Sequence, residues 1–252
     1  MYVKRTVVAG QVIETKKMYT ARVHTKGVRR QPSTAKTPKA QHAVNERKAE
    51  ERLRWKLNAN FVYGDLHLVL HYYDKKTALE QAEADKQTFI RLMRAESKKQ
   101  GVAWKYVACT ETKRMTNIHH HVILPAIDLQ VIAKIWEKVL GEERQGNISV
   151  KPLDRRGNHA KLANYLIKET RKTMERCRNA GKRYKRFSSA QGMIQPEPTY
   201  QTIAAANWAK EPRPRKGYIL LKDDNGNVMR TGIHEVTGYP WAEYIELCIP
   251  PK

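Results

Sequence analysis

The stretch Glu111-Thr-Lys-Arg-Met-Thr-Asn-Ile-His-His-His-Val-Ile-Leu124 decides how the middle of this chain folds. Ile118 to Leu124 is apolar and β-prone, and so is the upstream run Trp104-Lys-Tyr-Val-Ala-Cys109. The polar segment Thr112 to Asn117 between them reads as the turn of a β-hairpin. Side chains alternate between faces along a strand, so His119 and His121 point one way and His120 the other. With the turn centred on Met115, Glu111 falls opposite His119. Directly opposed residues share a face, with Cβ atoms roughly 5 Å apart. Two imidazoles and a carboxylate then converge on a metal site with positions left open. The competing reading is a polar strand face that happens to be rich in histidine, and a His-X-His pair alone does not separate the two. The donor set suits Mn²⁺, Mg²⁺, Zn²⁺ or Fe²⁺, and the carboxylate favours the harder ions, Mn²⁺ or Mg²⁺.

Working outward, Leu66-His-Leu-Val-Leu-His-Tyr-Tyr73 alternates Leu66, Leu68 and Leu70 against His67, Val69 and His71, which predicts a strand. A helix is expected from about Thr77 to Lys99, with Leu79, Ala82, Phe89, Ile90 and Met93 on one face and Gly101 after its end. After the hairpin, Asp128 caps a helix to Leu140, with Leu129, Ile132, Trp136, Val139 and Leu140 inward and Gly141 closing it. Asn147 to Pro152 reads as a short edge strand, and a further helix runs from about Asn158 to near Arg178. The order strand, helix, strand, strand, helix, strand, helix is α+β. It is the ferredoxin-like or RRM-like split βαβ pattern, an antiparallel sheet with helices on one face and a site on the other. Three segments are expected: a basic arm and charged helix over 1–59, the central domain over 60–186, and a β-rich extension over 187–252. The arm covers Gly27 to Ala43 and the helix residues 44–59; Tyr218 to Arg230 reads as a hairpin turning at Asn225-Gly226.

The formal net charge is +23, concentrated in two places. Residues 1–60 carry 15 Lys/Arg against 4 Glu, and residues 151–190 carry 13 Lys/Arg against 3 acids. That balance fits a polyanionic partner, most simply nucleic acid. The three cysteines, Cys109, Cys177 and Cys248, form no metal-type or redox-type pair, which fits a reduced cytoplasmic compartment. No apolar run approaches transmembrane length, so no membrane partner is expected.

A second constellation lies in Asn164-Tyr-Leu-Ile-Lys-Glu169. Tyr165 and Lys168 stand at i and i+3, on one helical face with Lys161 and Lys172. Ala163, Leu166, Ile167, Thr170 and Met174 form a separate core-facing stripe. A phenol is a poor nucleophile unless nearby cations stabilise its phenolate. A solvated, lysine-rich helix with an incidental tyrosine is the plainer alternative.

Taken together, the two constellations make the chain resemble the rolling-circle replication initiators of the HUH endonuclease superfamily, of the bacterial plasmid and phage type. His119 and His121 match that family's His-hydrophobic-His motif, Glu111 its upstream ligand, and Tyr165 with Lys168 its Tyr-X-X-Lys motif. The middle position departs from the pattern, because His120 stands where the family favours an apolar residue. The resemblance covers about Asn60 to Arg186. It implies an endonuclease that nicks single-stranded DNA or an extruded origin hairpin, with a divalent metal on Glu111, His119 and His121. Tyr165 would form a 5′-phosphotyrosine link, with Lys168 lowering its pKa or holding the phosphate. Tyr184 is a second, weaker tyrosine candidate. The sequence holds no Gly-X-X-X-X-Gly-Lys-Ser/Thr loop, so a host helicase and polymerase are expected as partners. A mobilisation relaxase or single-strand transposase would use the same residues. A metal-dependent hydrolase would attack with water, and a non-catalytic basic nucleic-acid-binding module would need none of them.

Overall fold

Fifteen regular elements order the chain, and the computed structural model describes them over residues 1–20, 39–74, 77–113, 117–182, 184–208, 210–234 and 238–249, leaving aside the side chains of 39, 40, 113 and 117. They are β1 (Tyr2–Ala9), β2 (Val12–Tyr19), α1 (Lys39–Asn60), β3 (Leu66–Tyr72), α2 (Leu79–Lys99), β4 (Val107–Lys113) and β5 (Asn117–Leu124). There follow α3 (Leu129–Leu140), β6 (Gly146–Pro152), α4 (Ala160–Asn179), β7 (Ser188–Ser189), β8 (Thr199–Thr202), β9 (Tyr218–Leu220), β10 (Arg230–Ile233) and β11 (Pro240–Cys248). They form two compact units, one of residues 49–194 and one of residues 1–48 with 195–252.

The 49–194 unit has a five-stranded antiparallel sheet in the order β6-β3-β5-β4-β7, with β6 at an edge as its proline requires. This is the α+β, split βαβ arrangement. The alternation of β3 explains its inner packing. Leu66, Leu68, Leu70 and Tyr72 join Ala82, Phe89 and Met93 of α2 and Ile132, Trp136 and Leu140 of α3 in one core. Fully burying a side chain such as Phe89 or Leu68 contributes about 1.5–3 kcal/mol. The Asp128 carboxylate accepts the amide protons of Gln130 and Val131 at 2.8 and 3.2 Å, which starts α3, and Gly141 at φ 72° ends it. Leu129, expected to face inward, is exposed.

The placing of the helices differs from the expectation. Only α2 and α3 back the first face. On the opposite face Val107 and Cys109 of β4 and Ile123 of β5 pack against Ala163, Leu166 and Ile167 of α4 and Leu53 and Leu57 of α1. These β residues are the odd-numbered, apolar ones at the far end of the hairpin. They need a cover of their own, and α4 with α1 supplies it. The site face is therefore half roofed. The β6 residues Asn147, Ser149 and Lys151, which share that face, remain exposed.

The other unit is a six-stranded antiparallel sheet of order β10-β11-β2-β1-β8, with β9 also on β11. Two expectations change here. Residues 2–19 are not part of an arm: they form the β1–β2 hairpin, and β2 pairs with the distant β11. The divisions expected at 59/60 and 186/187 thus differ from the compact units, because pairing between strands so far apart in the chain is not visible in local pattern. The expected Tyr218–Arg230 hairpin is also replaced. β9 and β10 each pair with a different part of β11, though Asp223 still closes a turn onto Asn225 and Asn227. Of the basic arm, residues 27–38 lie outside the described residues, and from Lys39 the chain is already helix α1. Among the described residues, no helix is long and apolar enough to cross a membrane.

Gly146 offers a sharp test of the sheet. It pairs with Tyr72, and a Cβ added there would overlap the His71 carbonyl oxygen and stand 3.0 Å from the Trp136 ring nitrogen. Backbone cannot yield as a side-chain tip can. Gly146→Ala should lower stability by about 2–4 kcal/mol, read as a shift in the urea midpoint followed by Trp fluorescence. An unchanged midpoint would mean that β6 does not lie on β3 in this register.

Candidate metal and nucleophile site

The β4–β5 register sets Glu111 opposite His119 and Cys109 opposite His121, as the hairpin reading expects; Met115 itself lies outside the described residues. The Glu111 Oε2 atom lies 2.7 Å from His119 Nε2 and 3.3 Å from His121 Nε2, and all three residues are buried. One ligand atom from each falls within 4.8 Å of the others. Burial alone would raise the Glu111 pKa. Hydrogen bonds from His119 and His121 outweigh it and hold the carboxylate well below its usual range. The group fits a divalent cation: one charged oxygen and two imidazole nitrogens point at a common centre, a mixed donor set with room for further ligands.

Two further histidines and a carboxylate complete the surroundings, and the sequence reading assigned them no role. His67 Nε2 stands 3.2 Å from His121 Nδ1, the nitrogen on the far side of the ring from Glu111. Burial first, then the nearby His121 and Lys151, push the His67 pKa down to about 4. A neutral His67 can accept a proton from His121 Nδ1, which leaves His121 Nε2 as a lone-pair donor. His71 lies against His119 with ring centroids 5.3 Å apart, and its Nε2 is 3.4 Å from Ser149 Oγ. Glu169 of α4 hydrogen-bonds Glu111. The alternation of β3 held the signal for His67 and His71; Glu169 follows Lys168 directly but needed the roofed face to reveal it.

His120 points the other way. It is fully buried, with Tyr72 Oη 3.0 Å from Nε2 and Thr110 Oγ1 2.9 Å from Nδ1. Thr110 in turn meets Glu83 and Lys86 of α2. Its unusual polarity at a core position is thus satisfied on both ring nitrogens, and burial holds it neutral.

Helix α4 brings Tyr165 to the site. The phenol ring stands edge-on to His121, with centroids 5.3 Å apart, and its outer part is exposed. Burial, then the Glu111 and Glu169 carboxylates, raise its pKa above the ordinary 10. Lys168 is not among those influences; it is exposed one turn further on, with no ion pair among the described residues. Tyr184 is elsewhere: its hydroxyl donates to Glu83 Oε1 at 2.6 Å, and burial and that carboxylate push its pKa far up. The core stripe of α4 is Ala163, Leu166, Ile167 and Thr170 as expected, but it continues through Thr173 and not Met174, which is only partly buried.

These contacts separate the three histidines by measurement. His119→Ala or His121→Ala should weaken Mn²⁺ binding in calorimetry by roughly 100-fold or more. His120→Leu should keep metal affinity but cost about 1–3 kcal/mol of stability, because Tyr72 and Thr110 lose their partner. Loss of metal binding on changing His120 alone would contradict the strand register. His67 generates a pH effect. Its folded pKa lies below the 6.5 of the unfolded chain, so the unfolded state binds the proton first. Stability present above about pH 6.5 should be lost as pH falls towards 4, by on the order of 2–3 kcal/mol. In His67→Gln the acid slope of the denaturation midpoint should flatten.

No curated protein and no solved structure shows a significant match to the chain. The family comparison does give a match, over the segment from the start of β3 into α4 that supplies Glu111, His119, His121, Tyr165 and Lys168. Residues 65–174 match the family described as replication-associated protein ORF2, a match consistent with a rolling-circle replication initiator type of protein.

Proposed function

We propose that the chain is a replication initiator endonuclease that nicks single-stranded origin DNA through Tyr165. The observation that carries this reading is the edge-on contact of Tyr165 with His121, which puts a partly exposed phenol against the Glu111, His119 and His121 group. The family match supports a replication role for the same segment.

The chemistry follows from the residues. Tyr165 Oη attacks the scissile phosphorus, and the P–O3′ bond breaks. A 5′-phosphotyrosine link forms, and the phenol's proton ends on the departing 3′ oxygen, leaving a 3′-OH. Attack by such a hydroxyl on the link reverses the steps and rejoins strands. A bound Mn²⁺ or Mg²⁺ would neutralise charge on the phosphate and offset the two carboxylates that raise the Tyr165 pKa. Glu111, His119 and His121 would hold it, with His67 fixing the tautomer of His121. Lys168 takes the role of phosphate contact, because the structure places carboxylates and not this lysine next to the phenol's proton. Exposed Asn147, Ser149 and Lys151 leave the β6 side of the site face open to the incoming strand. A helicase and a polymerase from the host would extend the released 3′-OH.

Incubation with single-stranded origin DNA and Mn²⁺ tests this. A covalent protein–DNA adduct should form, should vanish in Tyr165→Phe and in His119→Ala, and should form about 10- to 100-fold more slowly in Lys168→Ala. Metal-dependent cleavage that persists in Tyr165→Phe would identify water as the nucleophile. Binding without cleavage of any substrate would make the chain a nucleic-acid-binding module.

A further inference from the structure

Beyond the end of the matched segment, the C-terminal end of α4 and the chain that follows it form a groove lined by Met174, Arg178, Gly181, Lys182, Tyr184 and Lys185. Its lining is largely apolar. Met174, displaced from the core stripe, and the ring of Tyr184 supply that floor. The Tyr184 ring is fixed, because its hydroxyl is anchored on Glu83. Gly181 turns the chain at φ 68°, which brings Lys182, Tyr184 and Lys185 back beside the helix. The rim is cationic. Lys182 is paired with Glu80 at 2.6 Å, whereas Arg178 and Lys185 have no acidic partner among the described residues. A flat apolar floor with unpaired cations at its edge has the chemistry of a nucleotide site: the base covers the floor and the phosphate meets the rim.

The groove also lies in line with the nicking site. Lys168, Lys172 and Arg178 are exposed along α4 between Tyr165 and the groove, with Glu175 as the acidic interruption. From Tyr165 to Arg178 the helix rises about 20 Å. We infer that this groove is a second docking point for single-stranded DNA, which holds the substrate strand along α4 on one side of the bond that Tyr165 cuts. The inference rests on the nicking proposal for its substrate. It gives Tyr184 a function as a stacking surface in place of a nucleophile.

The groove can be tested without chemistry. Affinities of the full chain for dT8 and dT20 are measured by fluorescence anisotropy in EDTA. Arg178→Ala/Lys185→Ala should bind dT20 roughly five- to tenfold more weakly at low salt, and its salt slope should fall by about 1.4, the value for two phosphate contacts on a single strand. Affinity for dT8, too short to reach from the site to the groove, should change less than about twofold. The equally charged control Lys134→Ala/Lys138→Ala, on α3 against the other sheet face, should leave dT20 binding within about twofold. All four residues are exposed, so melting temperatures should stay constant and verify folding. Unchanged dT20 binding and salt slope would make the groove a solvated face and overturn the inference. Equal losses in the two double variants, or on both lengths, would reduce it to bulk charge and overturn it too. Tighter wild-type binding of an RNA 20-mer, with the same dependence on Arg178 and Lys185, would replace DNA as the occupant. Adduct formation in the wild-type chain is scored separately. An absent adduct with groove-dependent dT20 binding sinks the nicking proposal and leaves the groove, whereas an adduct with no groove dependence does the reverse.

Discussion

The β4–β5 ladder is the constraint on which the site depends. It sets Glu111 opposite His119, and the two-residue periodicity of β5 brings His121 to the same side. A slip of one residue would exchange the faces of β5. His120, Val122 and Leu124 would then leave the α2–α3 core, and the Tyr72–His120–Thr110 hydrogen bonds would break. The register is therefore held from behind. The core on one face fixes the donor geometry on the other, and a central strand flanked by β3 and β4 has no freedom to drift.

The buried polar row behind the site gives this locking a particular form. Tyr72, His120, Thr110, Glu83 and Lys86 satisfy one another within an apolar core. An apolar residue at position 120 would fill space but would accept many positions. A histidine bonded at both nitrogens accepts one. Such a network is costly when incomplete and specifying when complete. It links the ligand strand to α2, and through Glu83 to Tyr184 after α4, so the two helices that flank the hairpin are referenced to the same strand.

How much of this was legible in the sequence follows from the range of each interaction. The hairpin, the Glu111–His119 opposition and the common face of Tyr165 and Lys168 are set within about ten residues, by alternation and helical spacing. The Asp128 cap and the Gly141 stop are local too. The roof over half the site face was not legible, because Leu53, Leu57 and Leu166 declare an apolar stripe but not which sheet face takes it. The same limit hid Glu169, whose hydrogen bond to Glu111 depends on that roof. His67 and His71 were visible as the polar side of β3. Their meaning came only when β3 paired with β5, across some fifty residues of chain. In the other unit, the Tyr218–Arg230 stretch carries a good turn, yet β11 competes for both of its strands and wins.

The pairing of β2 with β11 has a consequence for how the protein is made. Residues 49–194 form an uninterrupted unit, while the sheet that joins β1 and β2 to β8 and β11 closes only once β11 has been translated. During synthesis the β1–β2 hairpin emerges long before its partner and waits, with the edge of β2 unpaired, while every other helix and strand of the chain is made. The inner unit, complete by residue 194, folds meanwhile, and the hydrogen bonds between Asn60 and Ile194 draw its two flanks towards each other. That shortens the loop which β11 must close. The replication segment thus acts as the folding nucleus for a sheet that contains none of its own residues, and an exposed β2 edge on the nascent chain is the point at which aggregation competes with completion.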